Sequence, residues 1–268
     1  MSLMKTFLEK GPERLFQPQQ THIDNTAILN RLAVLVGGVA IGLPLVLGMG
    51  SIGLGSCFRD SISHFYYDQI LGPVFVGLLY FIGGFLIAYT GEHILEDRGS
   101  TIAGFGAFIV ATVATLGTGC EGRDIFLSRV FAQVTNGDPL TVAEAPGQGF
   151  FNLFSAASDW HLTAAGILFI YLGLYCLIVL KRVVPARHEQ NGALIESKRK
   201  RNRLYSYCGL TILACVALLA FKGAIGGPGF LNWWNSLNLT FFVEATALWA
   251  FGIAWFAKGR VFSTLNDA

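Results

Sequence analysis

Six stretches of this chain are apolar over about the length needed to cross a lipid bilayer, and nothing else in the sequence restricts the fold as much. They run Ala33–Ile52, Leu71–Gly91, Thr101–Gly119, Leu162–Leu180, Tyr205–Phe221 and Leu239–Ala257. A spanning helix needs roughly 20 mostly apolar residues to cross about 30 Å of hydrocarbon. Inside that layer the backbone must satisfy its own polar groups, so each run reads as an α-helix. The fifth is short and ends at Lys222. Composition agrees: 53% of the residues are hydrophobic and only 13% charged, where a soluble domain carries about 25% charged residues. The expectation is an all-α, polytopic membrane protein, with one domain of six transmembrane helices in one bundle over residues 1–268. A net charge of +2 is too small to point to nucleic acid.

The connections between these runs differ in charge, and that difference sets an orientation. The link "KRVVPARHEQNGALIESKRKRNR", within the basic loop 181–203, is rich in Lys and Arg, which collect on the cytoplasmic side. Alternation then places both termini and "EHILEDR" inside, with Cys57–Gln69, the long insert 120–161 and 223–238 outside. This arrangement puts fifteen of the nineteen Lys and Arg inside. A bacterial inner (plasma) membrane is the expected location. The N-terminus lacks the apolar core and small-residue cleavage site of a signal peptide, so the first span is expected to act as its own targeting signal. Leu3, Met4, Phe7 and Leu8, interleaved with Lys5, Glu9 and Lys10, read either as a short interfacial helix before Gly11-Pro12 or as a frayed tail. Trp233 and Trp234 fit an outer aromatic belt.

Cys176, Cys208 and Cys215 fall inside spans and are expected to be buried thiols. Cys57 and Cys120 both fall outside, where the compartment is oxidising, so a Cys57–Cys120 disulfide is a candidate pin between the first outer loop and the end of the third span.

The same face gathers most of the chemistry. "CFRDSISHFYYDQ" brings Arg59, Asp60, Ser61, Ser63, His64, Tyr66 and Tyr67 to the first outer loop. Glu121 and Arg123 follow Cys120, while Asp159 and His161 open the fourth span in "SDWHLTAAG". Glu244 lies inside the sixth span, six residues past Asn238 and so about 9 Å below the boundary. The inner histidines, His22, His93 and His188, are scattered over three regions.

Each of these residues has a plain structural reading beside the chemical one. A carboxyl group inside a span is expensive and needs a partner, so Glu244 is either a hydrogen-bond anchor to a Ser or Tyr or part of a site. Asp159 with Ser158 reads as the N-cap of the fourth helix, and Asp60 or Ser61 as the cap of the second. Asp60 and His64 are four residues apart and share a face if the loop is helical. Tyr66 and Tyr67 read as interface aromatics. Arg59 and Arg123 either pair with acids or bind anionic lipid headgroups. In the chemical reading, His64, His161, Glu244 and one of Asp60 or Asp159 hold a divalent metal such as zinc, which activates water. Asp60, Ser61, Ser63, Tyr66 and Glu244 then form the catalytic set. No HExxH, HxxxH or Gly-x-Ser-x-Gly pattern supports this set; topology alone assembles it.

The stretches "DSISHFYYDQILGPVFVGLLYFIGGFLIAYTG", "DWHLTAAGILFIYLGLYCLIVLKR", "RNRLYSYCG" and "FFVEATALWAFGIAWFAKG" resemble an uncharacterised family of bacterial six-helix membrane proteins. That family carries a Ser-Ile-Ser-x-Tyr-Tyr outer motif, a His opening the fourth helix and a Glu on the last. The resemblance implies fold and topology but no activity. The chain is more loosely similar to the autophagy-modulator group of six-helix membrane proteins. It is also loosely similar to the alkaline ceramidase and adiponectin receptor superfamily, which uses Ser, Asp and three His around zinc on seven helices. It departs from the latter in lacking the late His-x-x-x-His pair.

Three functions follow as expectations. The first is a metal-assisted hydrolase or transferase acting on lipid. The second is a non-enzymatic protein whose outer groove binds membrane lipid or a partner. The third is a haem protein, which needs two facing His within the bilayer.

Overall fold

The computed structural model describes residues 25–68, 70–89, 94–115, 132–133, 141–142 and 156–266. It is mostly helical. The principal helices are α1 (Asn25–Leu54), α2 (Leu71–Ala88), α3 (Ile94–Thr112), α4 (Ala157–Leu174), α5 (Glu196–Ile225), α6 (Pro228–Ser236) and α7 (Leu239–Lys258). A π-helical turn, Tyr175–Val179, prolongs α4. The short N-terminal segment expected near the membrane surface lies outside the described residues, as do Cys120, Glu121, Arg123, His22 and His93.

Among the described residues, five helices are long and apolar enough to cross a membrane: Ala27–Leu54, Leu71–Ala88, Ala157–Val179, Glu196–Ile225 and Leu239–Lys258. The third expected span, Thr101–Gly119, differs. Its helix starts earlier, at Ile94, takes Glu96 and Asp97 into its first turn, and closes at Thr112. The fifth expected span is part of a longer helix that begins in the charged stretch at Glu196, where Glu196 pairs with Lys200 at 2.7 Å.

The helices form a closed ring. Successive helices α1 to α5 lie side by side, α7 lies beside α5, and α1 lies beside α7 to complete the circle. Lipid tails are as apolar as the helix faces, so close packing must supply much of the association energy. Three reciprocal glycine pairs permit that approach. A Cβ on Gly104 would stand 2.7 Å from the Gly83 carbonyl oxygen. One on Gly252 would stand 2.8 Å from the Gly37 oxygen, and one on Gly209 2.8 Å from the Gly173 oxygen. The α2–α3, α1–α7 and α4–α5 seams are therefore each closed at a glycine crossing. Large apolar side chains cover the outside of the ring, Ile52 at 75% and Leu162 at 62% exposure among them. Such a surface suits lipid and not water.

The two ends of the ring differ. At one end lie the long loop between α1 and α2 and the starts of α4 and α7; this is called the loop end below. At the other lie the basic start of α5 and a tight hairpin pairing Glu189–Gln190 with Ala193–Leu194. Asn191 (φ 53°) and Gly192 (φ 75°) make that turn. An Asn-Gly pair is suited to it because both positions need left-handed backbone.

Candidate functional site

The loop that leaves α1 is folded back over the mouth of the ring by its own backbone. Gly55 takes a left-handed conformation (φ 67°) just past the helix. Its N–H bonds to the Ile52 carbonyl at 3.2 Å, and the Ser56 N–H reaches the Ser51 carbonyl at 2.9 Å. This paired closure ends a helix and reverses the chain. Phe58 then packs edge-on against Phe241 of α7, with ring centroids 4.7 Å apart, and Phe65 is fully buried beside them. A short 3₁₀ helix, Ser63–Tyr67, completes the loop. Asp68, not Asp60 or Ser61, caps α2: its Oδ1 accepts the N–H groups of Ile70 (3.0 Å) and Leu71 (2.8 Å).

Glu244 projects from the second turn of α7 into this loop. Its carboxylate accepts the Ser61 hydroxyl at 2.9 Å and the Ile62 N–H at 2.7 Å. Ser61 Oγ in turn accepts the Ser63 N–H at 3.2 Å. One turn earlier on α7, the Phe241 N–H bonds to the Asp60 carbonyl at 2.8 Å. The loop is thus clamped to α7 by main chain and side chain together.

Ser63 and His161 meet across the ring. His161, 1% exposed in the first turns of α4, has Nδ1 2.6 Å from the Val113 carbonyl oxygen and Nε2 3.0 Å from Ser63 Oγ. A carbonyl can only accept, so Nδ1 carries a proton; in the neutral ring Nε2 then accepts, and Ser63 donates to it. Ser63 is half-buried. Beside this pair, Asp60 Oδ1 and His64 Nδ1 are in contact, with His64 the more exposed partner. Ser63, His64, Ser61 and Glu244 therefore form one cluster with His161, built from the α1–α2 loop, α4 and α7.

Other expected site residues fall elsewhere or take other roles. Asp159 is exposed on the first turn of α4 and does not cap it; the helix begins at Ala157 with no side-chain cap. Ser158 instead pairs with Thr115 Oγ1 at 3.2 Å. Tyr66 and Tyr67 are buried, at 4% and 1% exposure, and do not lie at an interface. The Tyr67 hydroxyl donates to the Thr115 carbonyl at 2.6 Å. Arg59 is buried too, which is a poor position for reaching a lipid headgroup. Burial pulls its pKa down, while Asp68 and Asp60 pull it up. Trp233 is exposed, but Trp234 is buried and donates its N–H to Thr240 Oγ1 at 2.8 Å.

Among the described residues, no three His, Cys, Asp or Glu gather closely enough to share a metal. The expected ligands are otherwise engaged: His161 through both ring nitrogens, and Glu244 by Ser61 and Ile62. Cys57 is disulfide-bonded, and the Cys120 half of the expected pair lies outside the described residues. Cys176, Cys208 and Cys215 are free and buried.

A second polar cluster, at the basic end, escaped the sequence reading. Lys258, at the end of α7, donates to the Tyr175 hydroxyl at 2.6 Å and lies 4.4 Å from the Trp255 ring centroid and 4.8 Å from that of Tyr89. The Tyr89 hydroxyl donates to Glu96 at 2.7 Å. The ammonium of Lys258 is held by ring faces and hydroxyls from three helix ends.

Compared with protein-family models, with curated proteins and with solved structures, the chain matches nothing in any of the three. The geometry alone must carry a functional reading.

Proposed function

We propose that this multi-pass membrane protein is a lipid acyl hydrolase or acyltransferase whose site is the loop-end cluster, with Ser63 as nucleophile and His161 as general base. One observation carries the reading: Ser63 Oγ lies 3.0 Å from His161 Nε2, while Val113 holds Nδ1 at 2.6 Å. Nucleophile, base and a third group that orients the base are the signature of an activated hydroxyl. The charge asymmetry of the loops supports placing this end outside the cytoplasm.

In the proposed reaction, Ser63 Oγ attacks an ester or amide carbonyl of a lipid as its proton passes to His161 Nε2. The Val113 carbonyl accepts from Nδ1–H throughout and fixes the imidazolium that forms. His161 then gives that proton to the departing alkoxide or amine, leaving an acyl-Ser63. Water or a second alcohol, deprotonated by His161, attacks the acyl group and releases Ser63. Glu244 and Ser61 act as positioning residues, because they fix the backbone at Ile62 from which Ser63 projects. This assignment replaces the metal-assisted route with groups already in hydrogen-bond contact.

The test is turnover of phospholipid and ceramide ester or amide bonds in proteoliposomes. The reading expects activity that Ser63→Ala and His161→Gln each reduce by about 10²–10⁴-fold, the range for losing a positioned base. Activity that survives both substitutions, in protein that elutes as wild type, would overturn it. A second reading draws on the completeness of the bonding: Glu244, His161 and Asp60 all have partners within the protein. On that reading the cluster is a clasp in a non-enzymatic lipid-binding protein, and no hydrolysis or transfer is detected.

A further inference from the structure

The wall against which the His161 ring is set is the end of α3, and that end is not helical. Helix α3 closes at Thr112, although the apolar run of the sequence continues to Gly119. The Val113 N–H still reaches the Ile109 carbonyl at 2.8 Å, but the Val113 and Thr115 carbonyls lie past the last helical turn. Backbone of this kind persists among membrane helices only where the protein satisfies its polar groups. Side chains do so here. Val113 accepts from His161 Nδ1 at 2.6 Å, and Thr115 accepts from the Tyr67 hydroxyl at 2.6 Å. The Thr115 hydroxyl also pairs with that of Ser158 at 3.2 Å.

These contacts close a circuit. Ser63 and Tyr67 stand at the two ends of one 3₁₀ helix. Ser63 meets His161 Nε2, while Tyr67 grips Thr115, two residues from the carbonyl that meets Nδ1. Ser158 precedes His161 by three residues on α4, so it holds Thr115 from the helix face that carries the base. Tyr67 and Thr115 are both buried. In a neutral imidazole, the hydrogen bond made by one nitrogen decides which nitrogen carries the proton. The tautomer able to accept from Ser63 is thus set by where the Val113 carbonyl stands.

We propose that Tyr67 and Ser158 are positioning residues for the general base: by holding Thr115 they keep the Val113 carbonyl against Nδ1, and so keep His161 in the tautomer that activates Ser63. The proposal rests on the acyl-transfer reading and adds how its base is held ready. When Thr115 is released, the carbonyl can leave Nδ1 and the ring proton can move from Nδ1 to Nε2. The ring stays neutral, but the nitrogen facing Ser63 then donates and cannot take the Ser63 proton.

The test pairs the nitrogen NMR spectrum of the full chain, isotope-labelled at histidine in detergent, with the rate at which an alkyl fluorophosphonate phosphonylates Ser63. His161 is assigned by the signals lost in His161→Gln. Wild type is expected to show the Nδ1–H tautomer. Tyr67→Phe removes one hydroxyl; it is expected to bring in the Nε2–H tautomer and to slow phosphonylation about threefold to tenfold, the net worth of one hydrogen bond. Ser158→Ala is expected to shift both readouts the same way by less. Tyr80→Phe is the control: it also removes a tyrosine hydroxyl from the end of α3, but one bonded to the Thr112 side chain at 2.7 Å, and both readouts are expected to stay at wild type. A wild-type spectrum in Tyr67→Phe, or in Ser158→Ala should Tyr67→Phe not purify, overturns the proposal. So does slower phosphonylation without a change of tautomer, which is the mark of a merely structural loss. The spectrum needs no chemistry at Ser63. A tautomer shift in protein whose Ser63 never reacts therefore leaves the hold on His161 standing and defeats the acyl-transfer reading, while Ser63 reactivity indifferent to both variants does the reverse.

Discussion

The carboxylate of Glu244 holds the hydroxyl of Ser61 at 2.9 Å across 183 residues of sequence. A carboxyl group inside a membrane helix is tolerated where it faces partners within the bundle, and here the partners are the loop that carries Ser63. Glu244→Ala is expected to leave the Ser61 hydroxyl and the Ile62 N–H without their acceptor, at about 1–3 kcal/mol per buried donor left unsatisfied. Glu244→Gln keeps an acceptor oxygen and is expected to cost less than half as much. Thermal unfolding of the detergent-purified variants checks the order. Equal stability of Glu244→Ala and wild type would contradict the clamp.

Asp68 caps α2 through the N–H groups of Ile70 and Leu71. Asp68→Ala is expected to destabilise by about 1 kcal/mol, as for loss of other N-caps, and Asp68→Asn by less. Asp60→Ala, by contrast, leaves those two N–H groups untouched. Denaturation midpoints of the three variants separate the roles.

The glycine crossings predict sharp intolerance. Gly104→Val puts carbon atoms where the Gly83 oxygen stands 2.7 Å from a Cβ, and overpacking of this kind costs typically 1–3 kcal/mol. Gly77 has open space around its Cβ position, so Gly77→Val is the control, expected to purify like wild type. The yield of monodisperse protein on size-exclusion chromatography reports the difference.

Cys57 and the charge asymmetry together predict a labelling pattern. A membrane-impermeant maleimide added to intact cells is expected to modify Cys57 only after reduction, because the thiol is otherwise in a disulfide. Modification without reductant contradicts the bond. Failure after reduction, with labelling restored in inverted vesicles, contradicts the outward orientation.

The mostly helical fold could be read from the sequence because hydropathy over twenty residues is a local property. The helix ends could not, since α5 begins nine residues before the run starting at Tyr205, in a stretch whose charges mask it. The gathering of Ser61, Ser63, His64, His161 and Glu244 at one end followed from topology alone. The pairings within it did not. Only the fold back at Gly55 decides that Ser63, and not Ser61, meets His161, and that Ser61 meets Glu244. The assignment of Tyr66 and Tyr67 to an interface failed for a related reason: a 3₁₀ turn points both rings inward against α3. Lys258 gave no signal, because Tyr89, Tyr175 and Trp255 look like ordinary span-end aromatics until three helix ends bring them together.

The most direct test of the account is the mass of the intact protein after reaction with an alkyl fluorophosphonate, a reagent that phosphonylates activated serine hydroxyls. The account predicts one adduct, mapped to Ser63, formed in wild type and in Ser61→Ala but abolished in Ser63→Ala and slowed at least 10²-fold in His161→Gln, the lower bound for losing a general base. An adduct that forms equally fast without His161, or none on Ser63 at saturating reagent, would contradict it.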